Sequence, residues 1–407
     1  MTRISLGWTC SSYFGWGVYC LNLALQWSKR KEIEAQSIFP VQAAQIEIDA
    51  LARRSLLPFF ERSGRDIPAD LYIAALGNNC ETSIVRAVKG PKIGAMFFEW
   101  PFSKEAIAAT KEYDLIIVGS RWNEHVLRSY GVDNVCTILQ GVDPSLFHPG
   151  PKRGLYPGKF LIFSGGKTEP RKGQDLVVNA FRIFAEKHPD AVLVTAWHSP
   201  RRMTQGMDLD VRKVADRVID VGAVPNALMA PIYRECDVAL FPNWAEGGTN
   251  LVAMECIACG VPTILSANTG HMDLIERNAA YSLKRRTIDA DGWGESDIDE
   301  IIETLDLAKR VPWHPKTNNP IADLTWASSS ATARACGHGD GCTLGPQASS
   351  IFARGANQLS LLPPETTAAR EHPRRPGRSD GRRPVAVSIV GAGSTHDGGV
   401  AVGGQCD

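Results

Sequence analysis

Two blocks of alternating strand-like and helix-like segments, separated by a stretch rich in proline and glycine, limit the folds open to this 407-residue chain. Apolar runs such as Leu71–Leu76, Asp114–Gly119 and Val261–Ser266 are short and bounded by glycine or polar residues, which is typical of buried strands. Strands that alternate with helices predict parallel sheets with right-handed crossovers. The proline-rich stretch, residues 141–157, is the predicted linker between the two blocks.

The repeated pattern predicts an α/β protein with two doubly wound domains that face a cleft. We place the two domains at residues 1–145 and 146–326. Because doubly wound sheets bind ligands beyond the carboxyl ends of their strands, we expect the functional site to lie in the cleft between the domains.

Residues 327–407 differ sharply in composition from the rest of the chain. This tail contains no lysine, all eight of its basic residues are arginine, and helical or strand periodicity does not persist. Such a segment buries too little apolar surface to offset its chain entropy, so we predict disorder. An out-of-frame read of a GC-rich gene would produce this composition, and we state that origin as a hypothesis.

Charge and hydropathy narrow the classes of function. The formal net charge is zero, so no general attraction for nucleic acid is expected. No run approaches the roughly 18 apolar residues of a membrane span, and the N-terminal sequence MTRISLGWTCSSYFGWG makes a poor signal peptide. We therefore expect a cytoplasmic protein.

The ten cysteines do not require disulfides in such a chain, and we interpret most of them as small buried side chains. Cys256 and Cys259 form a CxxC motif, but neither a second such motif nor a histidine pair completes a metal site. Packing of a helix is the favoured interpretation of this motif.

The segment from residue 243 to 275, NWAEGGTNLVAMECIACGVPTILSANTGHMDLI, carries the strongest functional pattern. Glu246 precedes a paired glycine, and Gly247 and Gly248 allow backbone N–H groups to approach an anion. A helix predicted to begin near Asn250 directs its positive end to the same place. Glu255 lies within that helix, where a carboxylate could bind two vicinal hydroxyls. A sugar, a phosphate and a ribose would fit this arrangement together.

The basic loop SGGKTEPRKGQD, residues 164–175, joins a predicted strand to a predicted helix in the same half of the chain. Gly165 and Gly166 free the backbone, while Lys167, Arg171 and Lys172 concentrate positive charge at the carboxyl end of the strand. A departing diphosphate needs such charge in order to be stabilised. A solvated basic turn is the plain alternative.

The linker GVDPSLFHPG, the loop TEPRKGQD and the segment AEGGTNLVAMECIACGVPTILS together resemble glycosyltransferase family 4, the group 1 glycosyltransferases. The resemblance covers roughly residues 1–326 and is strongest between 135 and 275. It implies two Rossmann-like domains in the GT-B arrangement and transfer with retention at the anomeric carbon. It also implies a nucleoside-diphosphate sugar as donor, and neither a metal nor a cofactor.

The resemblance also implies roles for individual residues. Lys172 would contact the donor diphosphate, Glu255 the nucleotide ribose and Glu246 the donor sugar, with Lys167 and Arg171 adding positive charge. The remaining donor-side residues would be Gly165, Gly166, Gly247, Gly248, Thr249, Asn250 and Leu251, together with Gly222 and Val224 in the turn that lines the base. The acceptor-side loop would contain Gly15, Trp16 and Gly17. Apart from the resemblance, Glu99 ends a predicted first-domain strand on the cleft side and is a candidate polar contact to the acceptor.

The sequence departs from the family pattern in three places. Eight residues, rather than the usual seven, separate Glu246 from Glu255, and Gly166 stands where the family often has an arginine. In addition, the tail begins where the family usually has a helix that returns to the first domain. Among weaker candidates, Asp289-Ala290-Asp291 is interpreted as a solvated loop, and His271 as a helix cap or surface residue.

These observations favour transfer of a hexose to an acceptor hydroxyl. The resemblance implies an acceptor in surface polysaccharide, glycolipid or other glycoconjugate synthesis, with peripheral contact at the inner face of a membrane. No first-domain nucleophile is evident, which favours front-face attack. One alternative is an inactive or truncated protein that only binds a nucleotide sugar. Another is a nicotinamide oxidoreductase, but its glycine fingerprint is broken at Cys20 and lacks the expected acidic residue.

Overall fold

The computed structural model describes residues 1–77, 80, 91–198, 211–289, 293–311 and 319–330. The predicted disorder of the tail from residue 331 onward lies outside the described residues. Within them, two separate six-stranded sheets form the framework, and both consist entirely of parallel strands. The two predicted doubly wound domains are therefore confirmed.

The first sheet has the strand order β2-β1-β3-β4-β5-β6. Its strands are β1 (Thr2–Leu6), β2 (Ile33–Ser37), β3 (Leu71–Leu76), β4 (Lys92–Met96), β5 (Leu115–Val118) and β6 (Val135–Thr137). The helices of this domain are α1 (Gly15–Ser28), α2 (Ala50–Arg62), α3 (Lys104–Ala109) and α4 (Arg121–Ser129). The order reverses between β1 and β3, which opens a crevice beyond their carboxyl ends.

The second sheet has the order β12-β11-β10-β7-β8-β9. Its strands are β7 (Phe160–Lys167), β8 (Ala191–His198), β9 (Val218–Asp220), β10 (Val238–Phe241), β11 (Thr263–Ser266) and β12 (Tyr281–Leu283). The helices are α5 (Gln174–Lys187), α6 (Ala230–Glu235), α7 (Leu251–Ala258), α8 (Met272–Ile275) and α9 (Ile298–Arg310). Here the order reverses between β7 and β10.

A short antiparallel hairpin extends the second domain. It consists of β13 (Arg286–Ile288) and β14 (Gly294–Ser296), with Asp289 and Trp293 paired just beyond the strands. Asp289 thus lies in a hairpin turn, whereas the other two residues of the predicted DxD lie outside the described residues. The hairpin brings Trp293 towards the first domain, where its indole Nε1 donates to the Glu99 carbonyl oxygen at 2.6 Å.

Most strands of both sheets are largely apolar, as expected for parallel sheets whose two faces are both covered. All six residues of β3 are buried, as are the residues of β10 and β11. Polar residues cap the helices: the Ser120 hydroxyl accepts from the Asn123 N–H at α4, and the Asp49 carboxylate accepts two N–H groups at α2. The strands therefore form at apolar runs, and these two helices begin at polar residues that cap them.

One detail of the first domain differs from the sequence predictions. Helix α1 begins at Gly15, whereas Gly15, Trp16 and Gly17 were expected to lie in a loop. Gly17 is buried, and a Cβ there would lie 2.3 Å from the Ser11 side chain, so the glycine permits close packing at the start of the helix.

The chain returns to the first domain at residues 326–330, which are helical. Trp326 is buried in the first-domain core and stacks on Tyr19 with ring centroids 5.6 Å apart. The Ser329 hydroxyl donates to the Leu139 carbonyl oxygen at 2.7 Å. The return helix therefore continues through residues 327–330, the first four residues of the segment predicted as a tail.

Candidate functional site

A cavity of about 440 Å³ lies between the carboxyl ends of the two sheets. The first domain contributes the loop after β1 and the loop after β4, and the second domain contributes the ends of β7, β8 and β9 and the loop after β10. This is the position expected for a ligand site at the reversal of strand order in two facing sheets.

The basic loop after β7 is shaped by Gly173. This residue has φ 64°, and a Cβ on it would lie 2.3 Å from the carbonyl oxygen of Pro242. Only glycine fits such a left-handed turn so close to a neighbouring backbone. The turn ends the short 3₁₀ helix Pro170–Lys172, which places Arg171 and Lys172 beside the loop that follows β10.

Charged side chains from both domains converge in the cavity. Lys172 contacts the Glu246 carboxylate directly, and Arg171 lies 3.5 Å from the same group. Arg171 also pairs with Glu169 at 2.7 Å and with Glu99 of the first domain at 3.3 Å. Arg171 therefore connects three carboxylates across the cleft.

The pKa of Glu246 reflects these cations. Burial alone would raise it, but Lys172 and Arg171 outweigh burial and lower the pKa of Glu246 to about 2. Burial lowers the pKa of Lys172, and the Glu246 carboxylate opposes that shift. The charge of each group thus depends on the other.

The loop that carries Glu246 is fixed by hydrogen bonds on both sides. The Asn243 amide donates to the carboxylate at 2.7 Å, and the Glu246 N–H donates to the Thr269 hydroxyl at 2.8 Å. Thr269 and Asn250 both have positive φ, 41° and 64°. Strained backbone of this kind is held by surrounding structure and clusters at functional sites.

His271 is fully buried behind this loop, so its interpretation as a surface residue is wrong; it occupies the N-cap position of α8, where its side chain makes no capping hydrogen bond. Burial lowers the pKa of His271 to about 4, which leaves the ring neutral near pH 7. Its Nε2 accepts from the Asn250 amide at 3.2 Å, and its Nδ1 lies 3.1 Å from the Ser266 hydroxyl. The side-chain amide oxygen of Asn250, Oδ1, in turn caps α7 by accepting from the Ala253 N–H at 3.4 Å. His271 therefore orients the residue at the start of this helix.

Glu255 occupies a separate, less charged part of the cavity wall. The Asn226 amide and the Tyr233 hydroxyl donate to its two oxygens at 2.6 and 2.7 Å. Burial raises the pKa of Glu255 to about 7, and the two hydrogen bonds only partly oppose this shift. A carboxylate at a cavity wall that accepts one hydrogen bond on each oxygen can accept further hydrogen bonds from ligand hydroxyls.

Glu99 is the charged residue that the first domain brings to the cavity. Its pKa is raised by burial, and Arg171 opposes the shift. The sequence predicted Glu99 as a polar contact on the acceptor side of the cleft, and the structure places its carboxylate in the cavity beside Arg171. Two further contacts join the domains nearby: Ser120 donates to the Gly247 carbonyl oxygen at 2.7 Å, and Arg121 pairs with Asp273.

Most of the predicted site residues line this one cavity: Lys167, Arg171, Lys172, Glu246, Glu255, Gly165, Gly166, Gly248, Asn250, Leu251, Gly222, Val224, Gly15, Trp16 and Glu99. Gly17, Gly247 and Thr249 lie behind the wall. A Cβ on Gly247 would lie 2.5 Å from the Phe98 carbonyl oxygen, so this glycine is needed where the two domains touch. Thr249 is fully buried, with its hydroxyl 2.9 Å from the Met254 sulfur.

Several lining residues were missed from the sequence: Glu169, Asn226, Tyr233, Trp100 and Trp293. Glu169 lies within the basic loop and could have been recognised there. Asn226 and Tyr233 follow the Gly222–Pro225 turn, but their approach to Glu255 depends on the packing of α6 against α7. No local signal marks Trp100 or Trp293.

Among the residues that the structure describes, no group of three or more His, Cys, Asp or Glu side chains is arranged to hold a metal ion. Cys256 and Cys259 are both buried at α7 and its C-terminal cap, consistent with packing. No helix in the described part of the chain is long and apolar enough to cross a membrane.

Residues 158–293 match the family model described as "Glycosyl transferases group 1". D-inositol 3-phosphate glycosyltransferase 2 of Catenulispora acidiphila is 31% identical over 156 residues, which are 34% of this chain and 36% of the relative. Phosphatidyl-myo-inositol mannosyltransferase of Mycobacterium tuberculosis is 28% identical over 148 residues, 36% of this chain and 37% of the relative. The matches thus span little more than a third of the length of these curated relatives.

Solved structures share the fold over most of the chain. Sucrose-phosphate synthase from Thermosynechococcus elongatus has a TM-score of 0.61 at 16% identity, covering 87% of this chain and 100% of its own. Anabaena HepE in complex with UDP has a TM-score of 0.54 at 15% identity, with the same coverage of both chains. The two facing sheets are therefore the GT-B fold.

Proposed function

We propose that this chain, whose residues 158–293 belong to the group 1 glycosyltransferases, transfers a hexose from a nucleoside-diphosphate sugar to an acceptor hydroxyl. The observation that carries the proposal is the meeting of Arg171, Lys172 and Glu246 beneath the cavity, with Glu255 on the same wall. Transferase names among the relatives and a UDP complex among similar folds support the donor class.

The cationic pair has a direct chemical use in this reaction. When the bond to the anomeric carbon breaks, negative charge develops on the departing diphosphate, and Lys172 and Arg171 would stabilise it at the cavity floor. Glu246 keeps both cations charged and oriented until the donor arrives. This charge stabilisation needs no metal or cofactor in the proposal.

Glu255 is suited to the ribose of the donor. Each oxygen of its carboxylate accepts one hydrogen bond, from Asn226 or from Tyr233, and keeps a further lone pair that a ribose hydroxyl could use. Gly222 and Val224 lie on the same side of the cavity and would contact the base. We propose uridine diphosphate as the first nucleotide to test.

Retention at the anomeric carbon rests on the resemblance to family 4, and we propose front-face attack by the acceptor. The Glu99 carboxylate of the first domain lies near the reacting centre, but it forms an ion pair with Arg171 and is not free to attack. We expect Glu99→Gln to retain measurable transfer. Isolation of a hexosyl ester on Glu99 would overturn front-face attack in favour of a covalent intermediate.

We propose that the acceptor belongs to surface polysaccharide, glycolipid or other glycoconjugate synthesis, and that the protein works at the inner face of the membrane through peripheral contact. This placement follows from the same resemblance. Co-sedimentation with vesicles of anionic phospholipid would test it, and a protein that stays in the supernatant at low salt would contradict it.

The test of the function is transfer or hydrolysis of a panel of nucleotide sugars, with Lys172→Ala as the key variant. Loss of one charge-stabilising group should lower turnover by about 10²–10³-fold. Lys152→Ala is the matched control, because Lys152 forms an ion pair with Asp237 on the surface of the same domain.

Three results are informative. A large fall in turnover for Lys172→Ala, with Lys152→Ala unchanged, supports the proposal. Equal turnover of Lys172→Ala and the wild type contradicts the role of Lys172. Binding of UDP without hydrolysis or transfer of any UDP-sugar would favour the alternative of a protein that only binds nucleotide sugar.

A further inference from the structure

We propose that Trp100, supported by Trp293, forms a subsite for a pyranose ring of a saccharide acceptor. The inference rests on the proposed function, because it takes the charged side of the cavity as the donor side. The two tryptophans come from different domains and meet at the cavity, with ring centroids 4.3 Å apart.

The two walls of the cavity differ in chemistry. The second-domain wall contains most of the charged side chains, namely Lys167, Glu169, Arg171, Lys172, Glu246 and Glu255. The first-domain wall, as far as the structure describes it, contributes the acidic side chain of Glu99 and five aromatic side chains, namely Tyr13, Phe14, Trp16, Phe97 and Trp100. A diphosphate is suited to the charged wall, which leaves the aromatic wall for the second substrate.

Trp100 is the exposed member of this aromatic wall. Its relative exposure is 47%, whereas Trp16 and Phe97 are packed against each other with centroids 4.9 Å apart. A large aromatic side chain left half exposed beside a cavity offers apolar surface that a ligand could cover. Trp100 therefore presents a surface that is open to a ligand and is not a core residue.

Trp293 fixes Trp100 from the other domain. It is 7% exposed, and its indole Nε1 is already used in donating to the Glu99 carbonyl oxygen. Its own backbone N–H donates to the Asp289 carboxylate at 2.9 Å in the hairpin turn. The Trp293 ring is thus held by its hydrogen bond to the first domain, its backbone is held by the hairpin, and Trp100 packs against this ring.

A pyranose matches the chemistry around Trp100 better than an alkyl chain does. Each face of a pyranose presents C–H groups that an indole can cover, while its hydroxyls project from the rim and need polar partners. The carboxylate of Glu99, the adjacent residue, lines the same cavity and lies 3.3 Å from Arg171. An alkyl chain would leave these charged groups facing an apolar ligand, at a desolvation cost.

The test is saturation-transfer NMR on the full chain with saturating UDP, using methyl α-D-glucopyranoside and methyl α-D-mannopyranoside as probes. We expect the ring C–H protons to receive saturation and Trp100→Ala to weaken pyranoside binding by about tenfold. Trp100→Phe should retain most of the binding. Tyr130→Ala is the matched control, because Tyr130 is 46% exposed on the same domain and contacts Phe102 rather than the cavity.

Calorimetric titration of UDP into each variant separates this inference from the proposed function. Normal UDP binding by Trp100→Ala with weakened pyranoside binding supports the subsite. Equal pyranoside affinity of Trp100→Ala and wild type, or no saturation of either probe, overturns it. Saturation confined to the alkyl protons of octyl β-D-glucopyranoside would overturn it in favour of a lipid. Failure of the wild type to bind UDP would contradict the proposed donor, leaving the Trp100 comparison valid.

Discussion

Replacing Glu246 by glutamine removes the charge that compensates two buried cations, so we expect a large loss of stability. The side chains of Glu246 and Lys172 are 9% and 13% exposed, so solvent screens their interaction weakly. The Asn243 amide can still donate to the carbonyl oxygen of a glutamine, which limits the change mainly to charge.

The magnitude follows from the pKa of Glu246, which falls from an ordinary 4.5 to about 2 in the folded protein. That difference corresponds to about 3 kcal/mol of stabilisation by the ionised carboxylate. Because the folded pKa is the lower one, the stabilisation is complete above pH 4.5 and is lost as the pH falls towards 2. At pH 3.5 about 2 kcal/mol should remain.

The assay is urea denaturation of wild type and Glu246→Gln at pH 7 and pH 3.5, followed by circular dichroism and by tryptophan fluorescence. The two probes must give coincident transitions, because a protein with two domains can unfold in steps. Glu303→Gln is the control, since Glu303 pairs with Arg285 at an exposed position and should change stability by less than about 1 kcal/mol.

A double variant tests whether the unpaired Lys172 causes the loss of stability. Glu246→Gln with Lys172→Met removes the buried cation together with its partner, so it should be more stable than Glu246→Gln alone. A stability of Glu246→Gln within about 1 kcal/mol of wild type at pH 7 would contradict the expected loss of about 3 kcal/mol. A double variant no more stable than Glu246→Gln would contradict the unpaired Lys172 as the cause.

Two further predictions concern Glu255 and Gly270. Burial raises the pKa of Glu255 from 4.5 to about 7, so its ionisation should cost the wild type about 3 kcal/mol as the pH rises from 4.5 to 7. Glu255→Gln should lack this fall when Tm is measured against pH, and parallel profiles would contradict it. A Cβ on Gly270 would lie 1.9 Å from the Gly248 carbonyl oxygen, so Gly270→Ala should cost more than about 3 kcal/mol in urea denaturation. Gly131→Ala, at φ 81° in open space, should cost only about 1 kcal/mol, and equal losses would argue against a steric cause at Gly270.

The fold could be predicted because its strands are apolar along the chain and bounded by turns. Leu71–Leu76 was predicted with its observed bounds. By contrast, β2 was missed because Ile33–Ser37 includes the polar residues Gln36 and Ser37, which are buried through hydrogen bonds to Ser5 and to the Trp8 carbonyl oxygen. Those partners lie far along the chain, and local periodicity does not reveal them.

The second-domain half of the candidate site was predictable for a similar reason. Lys172 and Glu246 both follow strands, and the carboxyl ends of parallel strands share one edge of a sheet. The pairing of Glu99 with Arg171, and of Trp100 with Trp293, depends on how the domains approach each other. His271 was misplaced because the sequence does not show that its loop folds back beneath Asn250.

The return of the chain at residues 325–330 has a mechanical consequence. The outgoing connection at Leu139–Val142 and the returning one lie side by side: the Val142 N–H donates to the Leu324 carbonyl oxygen at 2.9 Å, and Thr325 packs against Gly141. Two adjacent connections resist twisting of one domain about the other, because twisting would shear these contacts. If both connections bend together, the contacts between them stay intact. We therefore expect the domains to open and close about a single axis that passes through the two connections.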